Sequence, residues 1–194
     1  MILMALPSIP RTAMGDRVVV DASVAMAMLI AEEKSGAARD TFAAWSRAGS
    51  DLLVPSHFWV EVANSLVRRH ARSADQVMVG LVVLDELAMR TIDLDRPTLL
   101  LALDRMVAFR LSAYGAVYLA LATAADAQLA TLDRRLAEAA GGRGLLIGDS
   151  EPHRMAETSA AYDSAVAASP AWAYSASVGT HIADLRRRTM AGRA

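Results

Sequence analysis

The apolar positions of this chain fall into two alternating textures. Short, mostly aliphatic runs recur at 17–20 (RVVV), 51–54 (DLLV), 91–94 (TIDL), 128–131 (QLAT) and 144–147 (GLLI). An apolar run without polar alternation, such as VVV, predicts a strand covered on both faces, as parallel strands are. Between the runs, apolar residues return three and four positions apart, the spacing of helices with one core-facing side. Helices are expected from Val24 to about Glu32, Ser35 to about Arg47, Ser56 to Arg72, Ser73 to Ala88, Leu99 to Arg110, Ser112 to Ala125, and from near Asp133 onward. Pro55 is expected in the first turn of the third helix, where its missing amide costs nothing. Strands alternating with helices predict an α/β fold with a mainly parallel central sheet of about five short strands.

Composition adds bounds. The chain has 194 residues, suited to one domain with an appendage, and 54% of them are hydrophobic against 21% charged, so it is globular. Twenty basic against 21 acidic residues give a formal net charge of -1. That excludes a globally basic nucleic-acid binder but allows a local basic patch. Cysteine is absent, which excludes disulfides, thiolate metal sites and cysteine nucleophiles and fits a cytoplasmic location. The opening MILMALPSIP is too short to span a bilayer and lacks the basic start of a signal peptide, so no membrane attachment is expected. Residues 1–15 are read as a poorly ordered leader with Met14 an alternative start, 16–148 as the folded domain, and the Ser- and Ala-rich 149–194 as a weakly ordered or helical extension.

Candidate chemistry lies where the strands end. Asp21 closes RVVVDAS and Asp133 follows the 128–131 run, so both are expected at the carboxyl edge of the sheet, where open α/β folds bind ligands. Each also stands where an acid caps a following helix, and both readings are open. Glu61 lies in the apolar stretch FWVEV, with Asn64 and Arg68 following on the same helical face. It points either to solvent or into a polar pocket at the sheet edge. Clustered carboxylates without clustered His or Cys favour hard cations such as magnesium or manganese. Arg68, Arg69, His70 and Arg72 are either a solvated helix end or a phosphate-contacting patch. No nucleophilic triad, phosphate loop or dinucleotide fingerprint is present.

Three ordered motifs, VVVDAS, PSHFWVEVANSL and LSAYGAVYLALATAADAQLATLDRRLAEAA, make the chain from about Arg17 to Ile147 resemble the PIN-domain ribonucleases, in particular the toxins of VapBC toxin–antitoxin pairs. The resemblance implies a three-layer α/β/α domain, an acidic site holding one or two magnesium or manganese ions, and metal-dependent RNA cleavage. It also implies a cognate antitoxin that enters the acidic groove, and homodimerisation. Position by position, it makes Asp21, Glu61 and Asp133 catalytic and metal-binding residues, with the hydroxyls of Ser23 and Thr131 in support; Asn64, on the face of Glu61, is a further supporting candidate, and Arg68, Arg69 and Arg72 are candidate RNA contacts by their charge.

One position departs from that pattern. Where the family carries an aspartate after the tyrosine of the late motif, this chain has Gly115. Glycine in a helical first turn costs roughly 0.5 to 1 kcal/mol against alanine, so Gly115 reads as a lost carboxylate and not a packing choice. Two functions are therefore expected in competition: a weakened ribonuclease toxin, and a catalytically inactive PIN-fold module that binds an antitoxin or RNA. A generic α/β domain whose acids are only helix caps is the third possibility.

Overall fold

The computed structural model of the protein describes residues 16–30 and 34–148, and in it the valine run forms the middle of the sheet. Five strands, β1 (Arg17–Val20), β2 (Asp51–Pro55), β3 (Arg90–Ile92), β4 (Gln128–Thr131) and β5 (Gly144–Leu146), pair in the order β3-β2-β1-β4-β5. Every pairing is parallel. Val19 pairs with Leu53 on one side and Leu129 on the other, and Val18, Val19 and Val20 are all buried. Both faces of β1 are covered, which is why its sequence shows no alternation. The leader 1–15 and the extension 149–194 lie outside the described residues.

Among the described residues seven α-helices fill the connections: α1 (Ala22–Leu29), α2 (Ser35–Ala48), α3 (Phe58–Arg68), α4 (Ala74–Asp85), α5 (Arg96–Phe109), α6 (Ala113–Ala125) and α7 (Arg134–Ala140). The result is the three-layer α/β/α architecture expected from the resemblance. One main core joins Val18, Val19 and Val20 to Phe42, Leu53, Phe58, Val62, Tyr118 and Leu129. Each such side chain contributes roughly 1.5 to 3 kcal/mol when fully buried. Helix starts are encoded locally. Ser73 and Gln76 form a reciprocal capping box on α4, Asp95 accepts from the Thr98 amide at 2.8 Å, and Ser112 accepts from the Gly115 amide at 3.1 Å.

Several element boundaries moved: α3 and α4 end at Arg68 and Asp85, short of the expected Arg72 and Ala88, and three other shifts have a visible cause. Pro55 ends β2 instead of opening α3; it pairs with Ile92, and the next ladder bond comes from the Ser56 amide to the Ile92 carbonyl at 3.0 Å. A proline at that last position removes no bond the strand needs. β3 is shorter and starts at Arg90, because Asp95 caps α5 early and leaves Asp93 and Leu94 as a connection. α1 stops at Leu29, where Ile30 is already extended.

The two edges of the sheet differ in charge. At the amino edge Arg17 lies in register with Asp51, and its Nε donates to Asp51 Oδ2 at 3.3 Å. Arg90 Nη2 donates to the same oxygen at 2.7 Å, and Arg17 Nη1 donates to the Ala125 carbonyl at 2.9 Å. One buried acid thus joins β1, β2 and β3. On the surface, α5 buries Thr98 and Ala102 yet leaves Leu99, Leu100, Leu103 and Val107 exposed. Among the described residues no single helix is long and apolar enough to cross a membrane.

Candidate functional site

The chain runs from β1 to β2 and β3 in one direction and to β4 and β5 in the other, so the strand order reverses between β1 and β4. Loops leaving these two strands part at their carboxyl ends and open a crevice there. Asp21 sits at that point. Its backbone is extended, as an N-cap residue's is (φ -73°, ψ 148°), but its carboxylate makes no side-chain cap bond to α1, although the Ser23 amide lies near enough to favour its charge. The carboxylate turns instead toward β4. Its Oδ2 accepts from the Ser23 hydroxyl and, at 2.8 Å, from Thr131 Oγ1. Each hydroxyl is fixed in turn: Ser23 Oγ accepts from the Leu132 amide and Thr131 Oγ1 from the Asp133 amide, both at 3.0 Å. Two donors held by backbone amides therefore aim one buried carboxylate across the switch point.

Glu61 comes from the first turn of α3 and points inward. Its side chain is 31% exposed, and its Oε2 accepts from the Tyr118 hydroxyl at 2.8 Å. Tyr118 lies on α6, which packs against β1, β2 and β4, and is fully buried. His57 stands before α3 with its ring against Tyr114 and Tyr118, centroids 5.4 and 5.1 Å away. Its Nε2 is buried without a hydrogen-bond partner, 3.9 Å from Glu61 Oε2.

The electrostatics bring the two acids together. Burial raises the Asp21 pKa, hydrogen bonds from Ser23 and Thr131 only partly offset it, and the charge of Asp133 adds to the rise. Burial likewise raises Glu61; the Tyr118 bond opposes this, Asp21 reinforces it, and Arg69 opposes it weakly. Burial also lowers the His57 pKa, so the imidazole is not a ready counter-charge. Burial, with Asp21 and Glu61 nearby, pushes the Tyr118 phenol far up, keeping it a donor. Two hard oxygen donors thus repel each other at the sheet edge with little cationic compensation. That donor set suits a divalent cation.

Asp133 plays a different part. It is exposed, and its Oδ1 accepts from the amides of Arg135 at 2.8 Å and Leu136 at 3.3 Å, the bonds of a helix cap. Its charge reaches Asp21, yet among the described residues no three Asp, Glu or His side chains stand close enough to hold one ion. Asn64 is exposed one turn beyond Glu61. Arg68, Arg69 and Arg72 are exposed at and beyond the end of α3, and among them Arg69 has a charge that registers at Glu61. A Cβ built on Gly115 would meet Ser112 Oγ at 3.5 Å and Leu136 at 3.8 Å, ordinary contacts, so packing does not require the glycine.

Sequence reasoning missed Tyr118 and His57. Tyr118 lies in AYGAVYLALATAA, a stretch so apolar that no polar pattern singles it out. A signal was there nonetheless: a phenol in so apolar a helix has to find a hydrogen-bond partner.

A family model described as PIN domain matches residues 18–142. Among solved structures, the fold is similar to PAE2754 from Pyrobaculum aerophilum, with a TM-score of 0.50 and 21% identity over 67% of this chain and 83% of that one. It is similar also to the Mycobacterium tuberculosis toxin VapC20 (Rv2549c), described as cleaving the sarcin–ricin loop, with a TM-score of 0.52 and 17% identity over 63% of this chain and 94% of that one. No curated protein matches the chain.

Proposed function

This chain belongs to the PIN-domain family, and from that premise we propose that it is a metal-dependent endoribonuclease, the toxin of a toxin–antitoxin pair, weakened by glycine at position 115. The observation that supports the reading is a pair of inward carboxylates from distant elements, Asp21 held by Ser23 and Thr131 and Glu61 held by Tyr118, with the charge of Asp21 felt at Glu61. RNA is the proposed substrate because the fold is shared with a toxin named for cleaving an RNA loop.

Asp21 and Glu61 are the proposed holders of a magnesium or manganese ion, with Asp133 the third acid of the resemblance, whose charge reaches Asp21. Such an ion, when bound, supplies Lewis acidity and an activated water for attack on a phosphodiester. The remaining work falls to the chain itself. Ser23 and Thr131 keep Asp21 pointed across the switch point, and Tyr118 restrains Glu61. Arg68, Arg69 and Arg72 supply cationic charge at the exposed end of α3 for an RNA backbone. Asn64 is a polar contact for the same strand.

The proposed partners follow from the surface. Uncompensated carboxylates attract a basic antitoxin segment whose arginines bind them bidentately. The exposed row of Leu99, Leu103 and Val107 on α5 suits a second copy of the chain, giving a homodimer. The proposed location is the cytoplasm.

Gly115 favours a second reading, a PIN-fold module that has lost cleavage and only binds antitoxin or RNA. Ordinary contacts at its Cβ leave packing no reason for the glycine, so the missing acid reads as lost function. Cleavage of total RNA with and without manganese, beside a Gly115→Asp variant, separates the two. Manganese-dependent cutting by the parent chain supports the nuclease. Cutting by the variant alone supports the binding module, and cutting by neither overturns the metal-site reading.

A further inference from the structure

Glu61 enters the site from a helix end, partly exposed and without a full cationic partner, so its orientation depends on whatever touches it. Among the described residues one hydrogen bond reaches its carboxylate, from the Tyr118 hydroxyl to Oε2 at 2.8 Å. Tyr118 is itself fixed. It is fully buried on α6, and the His57 ring packs edge-on against it at 5.1 Å and 64°. The rest of α6 around it (Ala116, Val117, Leu119, Ala120, Leu121 and Ala122) is buried too, so the phenol cannot swing away. With this donor on Oε2, the carboxylate is fixed in place while keeping lone pairs on both oxygens for a cation.

We propose that Tyr118 is a positioning residue for the site: its buried hydroxyl holds Glu61 so that the carboxylate meets the cation beside Asp21, a restraint that matters more here because Gly115 contributes no oxygen. The inference rests on the metal-dependent reading above and names the group that prepares that site. It follows the general behaviour of residues behind a ligand, whose loss typically costs 10- to 100-fold in metal affinity. Tyr118 lies three residues after Gly115, so one helix carries both the empty ligand position and the restraint on the ligand that remains.

The test is manganese titration of the full chain followed by electron paramagnetic resonance, in four proteins: wild type, Tyr118→Phe, Glu61→Gln and the double variant. Circular dichroism checks the fold of each, and Tyr114→Phe serves as the control, since that tyrosine is exposed and touches His57 but not Glu61. Tyr118→Phe is expected to weaken manganese binding about tenfold in the wild-type background and less than twofold in the Glu61→Gln background. Tyr114→Phe is expected to change nothing. An equal loss in both backgrounds, or no loss in either, overturns the positioning role while leaving the metal site standing. Failure of the wild type to bind manganese overturns the metal site, and the role of Tyr118 with it.

Discussion

The two edges of the sheet hold buried or half-buried acids in opposite states. At the amino edge Asp51 lies between Arg17 and Arg90, with contacts of 3.3 and 2.7 Å. At the carboxyl edge Asp21 and Glu61 have hydroxyl donors and each other, but no arginine or lysine within ion-pair distance among the described residues. The first arrangement is closed: charge meets charge and three strands are tied together. The second is open, since hydroxyls orient a carboxylate without neutralising it. An acid held in place but not neutralised is suited to bind something positive. The sheet therefore sets a charge-paired aspartate and one that hydroxyls hold without neutralising a strand's length apart.

Asp51→Ala should produce the largest loss of stability. It removes the buried carboxylate that joins Arg17 to Arg90 across three strands, and breaking a buried pair costs about 3 to 5 kcal/mol. Urea unfolding measures it; a loss below about 1 kcal/mol would mean the amino-edge network is incidental.

Asp21→Asn should do the reverse. Removing a charge that burial disfavours should leave the metal-free fold as stable or more so, while RNA cleavage falls by at least the roughly 100-fold seen when residues behind a ligand are lost. If the variant unfolds yet the remaining folded fraction cuts RNA normally, the contrast between the edges is broken.

The same contrast predicts a pH dependence. Asp21 and Glu61 have folded pKa values raised above their ordinary 3.8 and 4.5, so the folded chain binds protons more tightly than the unfolded one. Their contribution to stability is complete below those ordinary values and is lost as pH rises through the raised ones. Thermal melts in chelator should show this decline, and both Asp21→Asn and saturating manganese should flatten it. A slope unchanged by Asp21→Asn would remove that residue as its source.

Asp133→Ala should cost about 1 kcal/mol, the ordinary value of a helix cap, because its oxygen accepts from two amides of α7. Its effect on manganese affinity, measured in parallel, decides whether this acid is more than a cap. The smallest effect belongs to Gly115→Asp. A Cβ there makes only ordinary contacts, so stability should change by less than about 1 kcal/mol, mostly through helix propensity. Manganese affinity should rise, and an unchanged value would show that position 115 is not a ligand position.

Legibility followed the range of the interactions. The VVV run announced a buried central strand because burial on both faces leaves its mark on consecutive residues. The caps at Ser73 and Ser112 lie within three residues of the amides they serve, so a short stretch of sequence contains the whole interaction. Asp21 and Asp133 looked alike on that local scale, each an acid between a strand and a helix. Tertiary structure separated them. β4 lies beside β1, so Thr131, distant in sequence, could draw the Asp21 carboxylate away from its own helix, while no strand offered Asp133 the same. The inward turn of Glu61 likewise required Tyr118 on α6, and Asp51 required the register that set Arg17 beside it. These contacts depend on strand order, and strand order is decided by how the whole set of apolar faces is buried at once; no single stretch of residues contains that information.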